Sequence, residues 1–126
     1  GHSDGDALCH AIIDALLGAA GLGDIGEHFP DTDPQYKGAS SIKLLELVGA
    51  EVVSAGFRIG NIDAVVIAQT PRIMGHRAEI AESLAAALGI EAKDVSIKGK
   101  TAEGLGPVGA SEAICTQAVA LIEENG

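Results

Sequence analysis

The chain is short of aromatics, of basic residues and of long apolar runs, and each shortage removes a class of explanation. Of its 126 residues 47% are apolar, yet Phe29, Tyr36 and Phe57 are the only aromatics, so the core must be built from Ala, Val, Ile and Leu. Small aliphatic side chains let helices and strands approach closely. Eight Lys and Arg stand against 18 Asp and Glu, a formal charge of -10 with no basic stripe. That balance argues against a nucleic-acid partner, because binding a phosphate backbone depends on cationic side chains displacing counterions. No apolar stretch nears the roughly 20 residues that span a bilayer, and the start lacks the charged and apolar regions of a signal peptide. A soluble, intracellular protein with no membrane partner is expected. Cys9 and Cys115 are too far apart for a CxxC motif and read as buried thiols. Repeats, low-complexity tracts and linkers are also missing, which leaves one domain. The chain opens at Gly1 with a charged motif already in progress, so an upstream segment is expected.

What is present reads as alternating helices and strands. Leu8, Ile12, Ala15, Leu16 and Ala19 recur at helical spacing after a capping-box-like Ser3 and Asp6, until Gly21 and Gly23 end the segment. Residues 24–38 are dense in turn formers and carboxylates and read as a long loop, a length usually kept for function. Ser40 or Ser41 caps a second helix with an apolar stripe of Leu44, Leu45, Val48, Val52 and Ala55. Asn61 to Gln69 reads as a strand buried on both faces. The few helices can cover one face of a small sheet, so sister subunits are expected on the other. Pro71 leads into a third helix with Ile80, Leu84, Ala85 and Leu88 inward and Gly89 closing it. Val95 to Thr101 is a short strand, and Ala102 to Gly109 a glycine-rich loop. Glu112 to Glu124 fits either a helix or a buried strand.

Chemistry-bearing residues concentrate at the first helix. His2, Asp4, Asp6, His10 and Asp14 gather imidazoles and carboxylates where unpaired backbone N–H groups favour anions. His10 and Asp14, four apart, share one helical face, so Asp14 could orient His10 and leave its other nitrogen for a metal; the bland alternative is a capped acidic helix start with a solvated His. A catalytic zinc commonly takes three protein ligands. His2, His28 and His76 are candidates for the others but lack a recognisable spacing, and an upstream strand is the simpler source. Asp24, Asp31 and Asp33 could accept from polyol hydroxyls or simply make Asx turns. Glu103 after Thr101 at a strand end could place a carboxylate on Mg²⁺ and a hydroxyl on a phosphate oxygen.

His-Ser-Asp-Gly-Asp at 2–6, His10, Asp-Ala-Leu-Leu-Gly at 14–18, Gly-Asp-Ile-Gly at 23–26 and Phe-Pro-Asp-Thr-Asp-Pro at 29–34 form one ordered series. Ile67-Ala-Gln, Pro71-Arg72, Lys98 and Thr-Ala-Glu-Gly-Leu-Gly at 101–106 continue it. Together they resemble the 2-C-methyl-D-erythritol 2,4-cyclodiphosphate synthase family of isoprenoid precursor biosynthesis. The resemblance implies an α+β domain over residues 1–126 with a four-stranded mixed sheet, its first strand missing here, and helices on one face. It also implies a homotrimer whose sheets face the threefold axis, and it favours a strand for the final segment. The implied location is bacterial cytoplasm, or a plastid in a plant or alga.

The implied reaction is an intramolecular phosphoryl transfer that expels CMP from a cytidine diphosphate-linked methylerythritol phosphate. By resemblance His10 is a ligand of a zinc-type ion, with an Asp-x-His pair on the upstream strand as its partners and Asp14 behind it. Glu103 contacts Mg²⁺ or Mn²⁺, and His2 and Thr101 stabilise the transition state. Ser3 assists at the methylerythritol phosphate. Asp24, Ile25 and Gly26, with Phe29, Pro30, Asp31, Thr32 and Asp33, hold sugar and polyol hydroxyls. Ala68, Gln69, Thr70, Pro71, Arg72, Ile73 and Met74, with Lys100 and Ala102, line a cytidine site completed by a neighbouring subunit. The pattern departs at Ala110, where many members carry an Arg lining a cavity on the trimer axis, and at Pro107, which replaces a common aromatic. Two other readings are a trimeric phosphate- or nucleotide-binding module without catalysis and a metal-dependent phosphohydrolase.

Overall fold

Leu8, Cys9, Ile12, Ile13, Leu16 and Leu17 fall on one side of a helix, and α1 (Asp4–Ala20) buries all six. In the computed structural model residues 4–30, 40–68, 75–101, 103–109 and 114–125 are described. After α1 come a one-turn helix α2 (Ile25–His28), α3 (Ser41–Ser54), strand β1 (Phe57–Ile67), α4 (Arg77–Leu88), a 3₁₀ turn at Ala92–Asp94, strand β2 (Val95–Lys100), a short α5 (Gly106–Gly109) and strand β3 (Cys115–Glu124). Ser40 caps α3, its hydroxyl accepting the Lys43 N–H at 3.2 Å. Gly89 closes α4 in the left-handed region at φ 70°, which Gly adopts without penalty. No described helix is long and apolar enough to cross a membrane.

Among the described residues the sheet has three strands in the order β2-β1-β3. β1 runs parallel to β2 and antiparallel to β3, so the sheet is mixed as expected, and the final segment is a strand. β1 begins at Phe57, four residues before the expected Asn61, and the reason is a bulge. Its register against β3 slips between Ile59 and Asn61. The extra residue is Gly60, where a Cβ would stand 3.2 Å from the Leu121 carbonyl oxygen. The bulge lets Ile59 and Ile62, three apart in sequence, both face the core.

α1, α3 and α4 all lie on the sheet face formed by Ile62, Ala64, Val66, Val95 and Ile97. Ten side chains, Leu16 and Val48 among them, are essentially fully buried; each such Leu, Ile or Val contributes about 1.5–3 kcal/mol relative to exposure. Within the single chain the described helices cover one face of β1, as expected, and the opposite face is open. There Asp63, Val65 and Ile67 of β1 are only half-covered, and Val119 and Leu121 of β3 are 70% and 57% exposed. Two loop expectations are corrected. Asp24 is able to cap a helix, so a turn of helix forms inside 24–38, and Gly106–Gly109 forms another inside the glycine-rich loop.

Candidate active site

Parallel pairing puts the C-terminal ends of β1 and β2 at one edge of the sheet, where the Ala68 N–H donates to the Lys100 carbonyl at 3.0 Å. β3 starts at that edge, with Cys115 opposite Ile67, and the Thr116 hydroxyl donates to the Ala7 carbonyl at 3.2 Å. The topology therefore gathers the first turn of α1, Ala68, Lys100 and Thr101 at one edge, the end of parallel strands where α/β proteins place ligands. Lys100 and Thr101 are exposed, as is Glu103. Glu103 is the one non-glycine with positive φ among the described residues, at 53°. Backbone held in that region tends to be kept at functional positions.

His10 lies exposed on α1, two turns into the helix, and Asp14 follows one turn later. Asp14 does more than its spacing suggested: its Oδ1 accepts the Ile25 N–H at 3.1 Å. The chain thus leaves α1, reverses at Gly21 and returns along the helix towards His10. Asp24 caps α2, its Oδ1 accepting the Glu27 N–H at 2.9 Å, so this oxygen serves as a helix cap and not as an Asx turn. Phe29 is buried against the core, while Ile25 and Pro30 are half-covered and Gly26 is exposed. Further up α1, Asp6 accepts the Ser41 hydroxyl at 2.6 Å. The described residues before and after 31–39 are therefore tied to α1 at Asp14 and Asp6.

Sequence reasoning missed the use made of His28. It was a metal-ligand candidate, but its Nε2 lies 2.6 Å from the Leu22 carbonyl oxygen and its Nδ1 2.8 Å from Glu51 Oε2. Both nitrogens are engaged, so His28 is withdrawn as a ligand. The acceptors are the Leu22 backbone carbonyl, six residues back, and Glu51, 23 residues on, and periodicity carries no sign of either. His76, the other candidate, is exposed and 4.0 Å from Glu79. Among the described residues no three His, Cys, Asp or Glu converge into a metal-holding group, so His10 can serve as one arm of such a site and its companions are not among them. Cys9 is buried, as expected, and its thiol is pushed up to about 11 by desolvation and then by the Asp6 charge. An open cavity of about 400 Å³ lies between the first turns of α1, α3 and α4, bordered by Asp6, Cys9, Ser41, His76 and Glu79; neither His10 nor Glu103 is among its described lining. His2, Ser3, Asp31, Thr32, Asp33, Gln69, Thr70, Pro71, Arg72, Ile73, Met74, Ala102 and Ala110 lie outside the described residues.

Known proteins match over nearly the whole chain. The YgbB family model matches residues 1–123. The 2-C-methyl-D-erythritol 2,4-cyclodiphosphate synthase of Dechloromonas aromatica is 56% identical over 126 residues, all of this chain and 79% of that protein. The synthase of Desulfosudis oleivorans is 55% identical over 125 residues, 99% of this chain and 74% of the relative. Among solved structures, Plasmodium falciparum IspF in a CDP complex is 36% identical with a TM-score of 0.85, covering 100% of this chain and 76% of that one. The bifunctional IspDF of Campylobacter jejuni is 39% identical with a TM-score of 0.90, covering 98% of this chain and 33% of that one. With motifs, mixed sheet and helical layer in agreement, the chain belongs to the YgbB family of cyclodiphosphate synthases.

Proposed function

We propose that this chain is a 2-C-methyl-D-erythritol 2,4-cyclodiphosphate synthase, a phosphorus–oxygen lyase of the methylerythritol phosphate route to isoprenoids. It closes 4-diphosphocytidyl-2-C-methyl-D-erythritol 2-phosphate into the 2,4-cyclodiphosphate and releases CMP. The observation that carries this reading is the return of the 23–26 motif onto Asp14, one helical turn from His10, in a chain more than half identical to proteins of that name. A 2-phosphate oxygen forms a bond to the β-phosphorus, the bond to the bridging oxygen breaks, and CMP leaves with the electron pair. No water is consumed.

Such a transfer is governed by positioning and by neutralising charge on the phosphoryl oxygens. Asp24, Gly26 and the 29–33 segment bind sugar and polyol hydroxyls, while Ser3 and His2 hold the 2-phosphate that attacks. Thr101 donates its hydroxyl to a phosphate oxygen, and His2 and Thr101 favour the transition state by gripping oxygens that gain charge. Ala68, Lys100 and Ala102, with residues 69–74, receive the cytidine; the Plasmodium structure with CDP supports a cytidine nucleotide here. When bound, a zinc-type ion and Mg²⁺ or Mn²⁺ supply positive charge to the diphosphate. His10 would hold the first and Glu103 the second.

The active assembly in this reading is a homotrimer, with each cytidine site completed by a neighbour. Its support is the exposed sheet face, where Val119 and Leu121 present apolar area with no described helix over them. Solvent-exposed apolar patches of this kind mark interfaces. A phosphohydrolase or a non-catalytic nucleotide-binding module explains the His and Asp content but not the whole ordered motif series, and relatives of this identity are named synthases. Incubating the complete protein with substrate, Zn²⁺ and Mg²⁺ tests the proposal. CMP and cyclodiphosphate should form in equal amounts; CDP or inorganic phosphate as the main product would overturn it.

A further inference from the structure

We propose that His28 is a positioning residue, a clamp between α2 and α3 that holds the Asp24–Phe29 turn where it can meet the substrate. This rests on the reading that Asp24 and Gly26 contact substrate hydroxyls. The Leu22 carbonyl and the Glu51 carboxylate face its two ring nitrogens at 2.6 and 2.8 Å, and both are acceptors only. Each nitrogen thus faces an acceptor, and a doubly protonated ring would donate to both. A charged donor on a carboxylate makes the stronger kind of hydrogen bond. The His28 side chain is 22% exposed and that of Glu51 44%, so the pair is partly shielded on the histidine side and open to water on the carboxylate side.

The location gives the clamp its consequence. α2 has a single turn and no fully buried residue, Ile25 alone packing against the core, so packing holds its shape only weakly. Its start is fixed by Asp14 on the Ile25 N–H and by the Asp24 cap. Its end is fixed by His28 and by Phe29, 8% exposed, whose ring lies 6.2 Å from the imidazole at a 50° tilt. His28 ties back to Leu22, before the turn, and across to Glu51, near the end of α3. One side chain thus joins both ends of the turn to the helical layer. Asp14 ties the start of the turn to α1, and His28 ties its end to α3.

The test uses the complete protein and the variants His28→Leu, His28→Gln and Glu51→Gln, with two readouts. His28→Leu keeps apolar bulk and loses both donors; His28→Gln can serve one acceptor, and Glu51→Gln keeps an acceptor without charge. The expected result for His28→Leu is a KM for the cytidine diphosphate substrate raised about tenfold, the scale of one lost charge-assisted bond, with kcat nearly unchanged. The two Gln variants should fall between it and the parent. Amide exchange of residues 25–29 should quicken in the same order, while residues 12–17 of α1 stay protected. An unchanged KM, or a fall in kcat alone with loss of overall stability, overturns the positioning role. Unchanged exchange at 25–29 overturns the clamp itself. Absence of CMP release by the parent protein defeats the proposed reaction, and the exchange data still decide the clamp.

Discussion

The Asp14 carboxylate accepts the backbone N–H of Ile25 at 3.1 Å. This one bond folds the segment after α1 back along the helix, so that two motifs separated in sequence lie one turn from His10. Removing the acceptor should loosen the turn: Asp14→Ala is expected to cost about 0.5–1.5 kcal/mol, while Asp14→Asn, which keeps an oxygen, costs less. Urea unfolding of both variants checks this. In the same proteins metal content should fall to nothing for His10→Ala and persist in part for Asp14→Asn; equal losses would contradict separate roles.

Glu103 carries a left-handed backbone at φ 53°. A non-glycine there costs about 1–2 kcal/mol, so Glu103→Gly is expected to raise stability by roughly 1 kcal/mol while removing most Mg²⁺-dependent activity. Thermal unfolding beside CMP-release rates reads both effects. A variant that gains stability and keeps full activity would remove Glu103 from the site.

Val119 sits opposite Asp63 on the sheet face that the helices leave open. A charge placed there should break a threefold contact without touching the core. Val119→Glu is expected to sediment as a monomer and to lose activity in proportion, because the cytidine site in the proposed assembly is shared between chains. A Val119→Glu protein that remains trimeric would contradict the interface.

Burial raises the Cys9 thiol to about 11, with the Asp6 charge adding to it. The raised value stabilises the fold below the ordinary thiol range, and that contribution is lost as pH climbs through about 9 to about 11. Cys9→Ala should therefore show a shallower fall in stability across that window than the parent, measured by denaturant midpoints. Folded parent protein should also alkylate slowly at Cys9 at neutral pH, since the thiolate is the reactive form.

Much of this was legible in the chain. Three main helices, their glycine stops and the buried thiol followed from periodicity and turn chemistry, and the motif series led to the family. The start of β1 did not, because the bulge at Gly60 breaks the two-residue alternation that marks a strand. α2 was hidden because Gly26 and Pro30 suggest a loop, whereas Asp24 caps a single helical turn, Ile25–His28, that contains Gly26. Glu112–Glu124 could not be decided alone, since Ala118, Leu121 and Ile122 satisfy both periods. The His28–Glu51 pair spans 23 positions and leaves no local pattern.

In the proposed reaction the substrate's own phosphate, and not water, attacks the β-phosphorus. Turnover in H₂¹⁸O followed by mass spectrometry of both products measures this directly. Intramolecular closure leaves CMP and the cyclodiphosphate without ¹⁸O; an open methylerythritol 2,4-bisphosphate carrying one ¹⁸O beside CMP would identify a hydrolase and contradict the assignment.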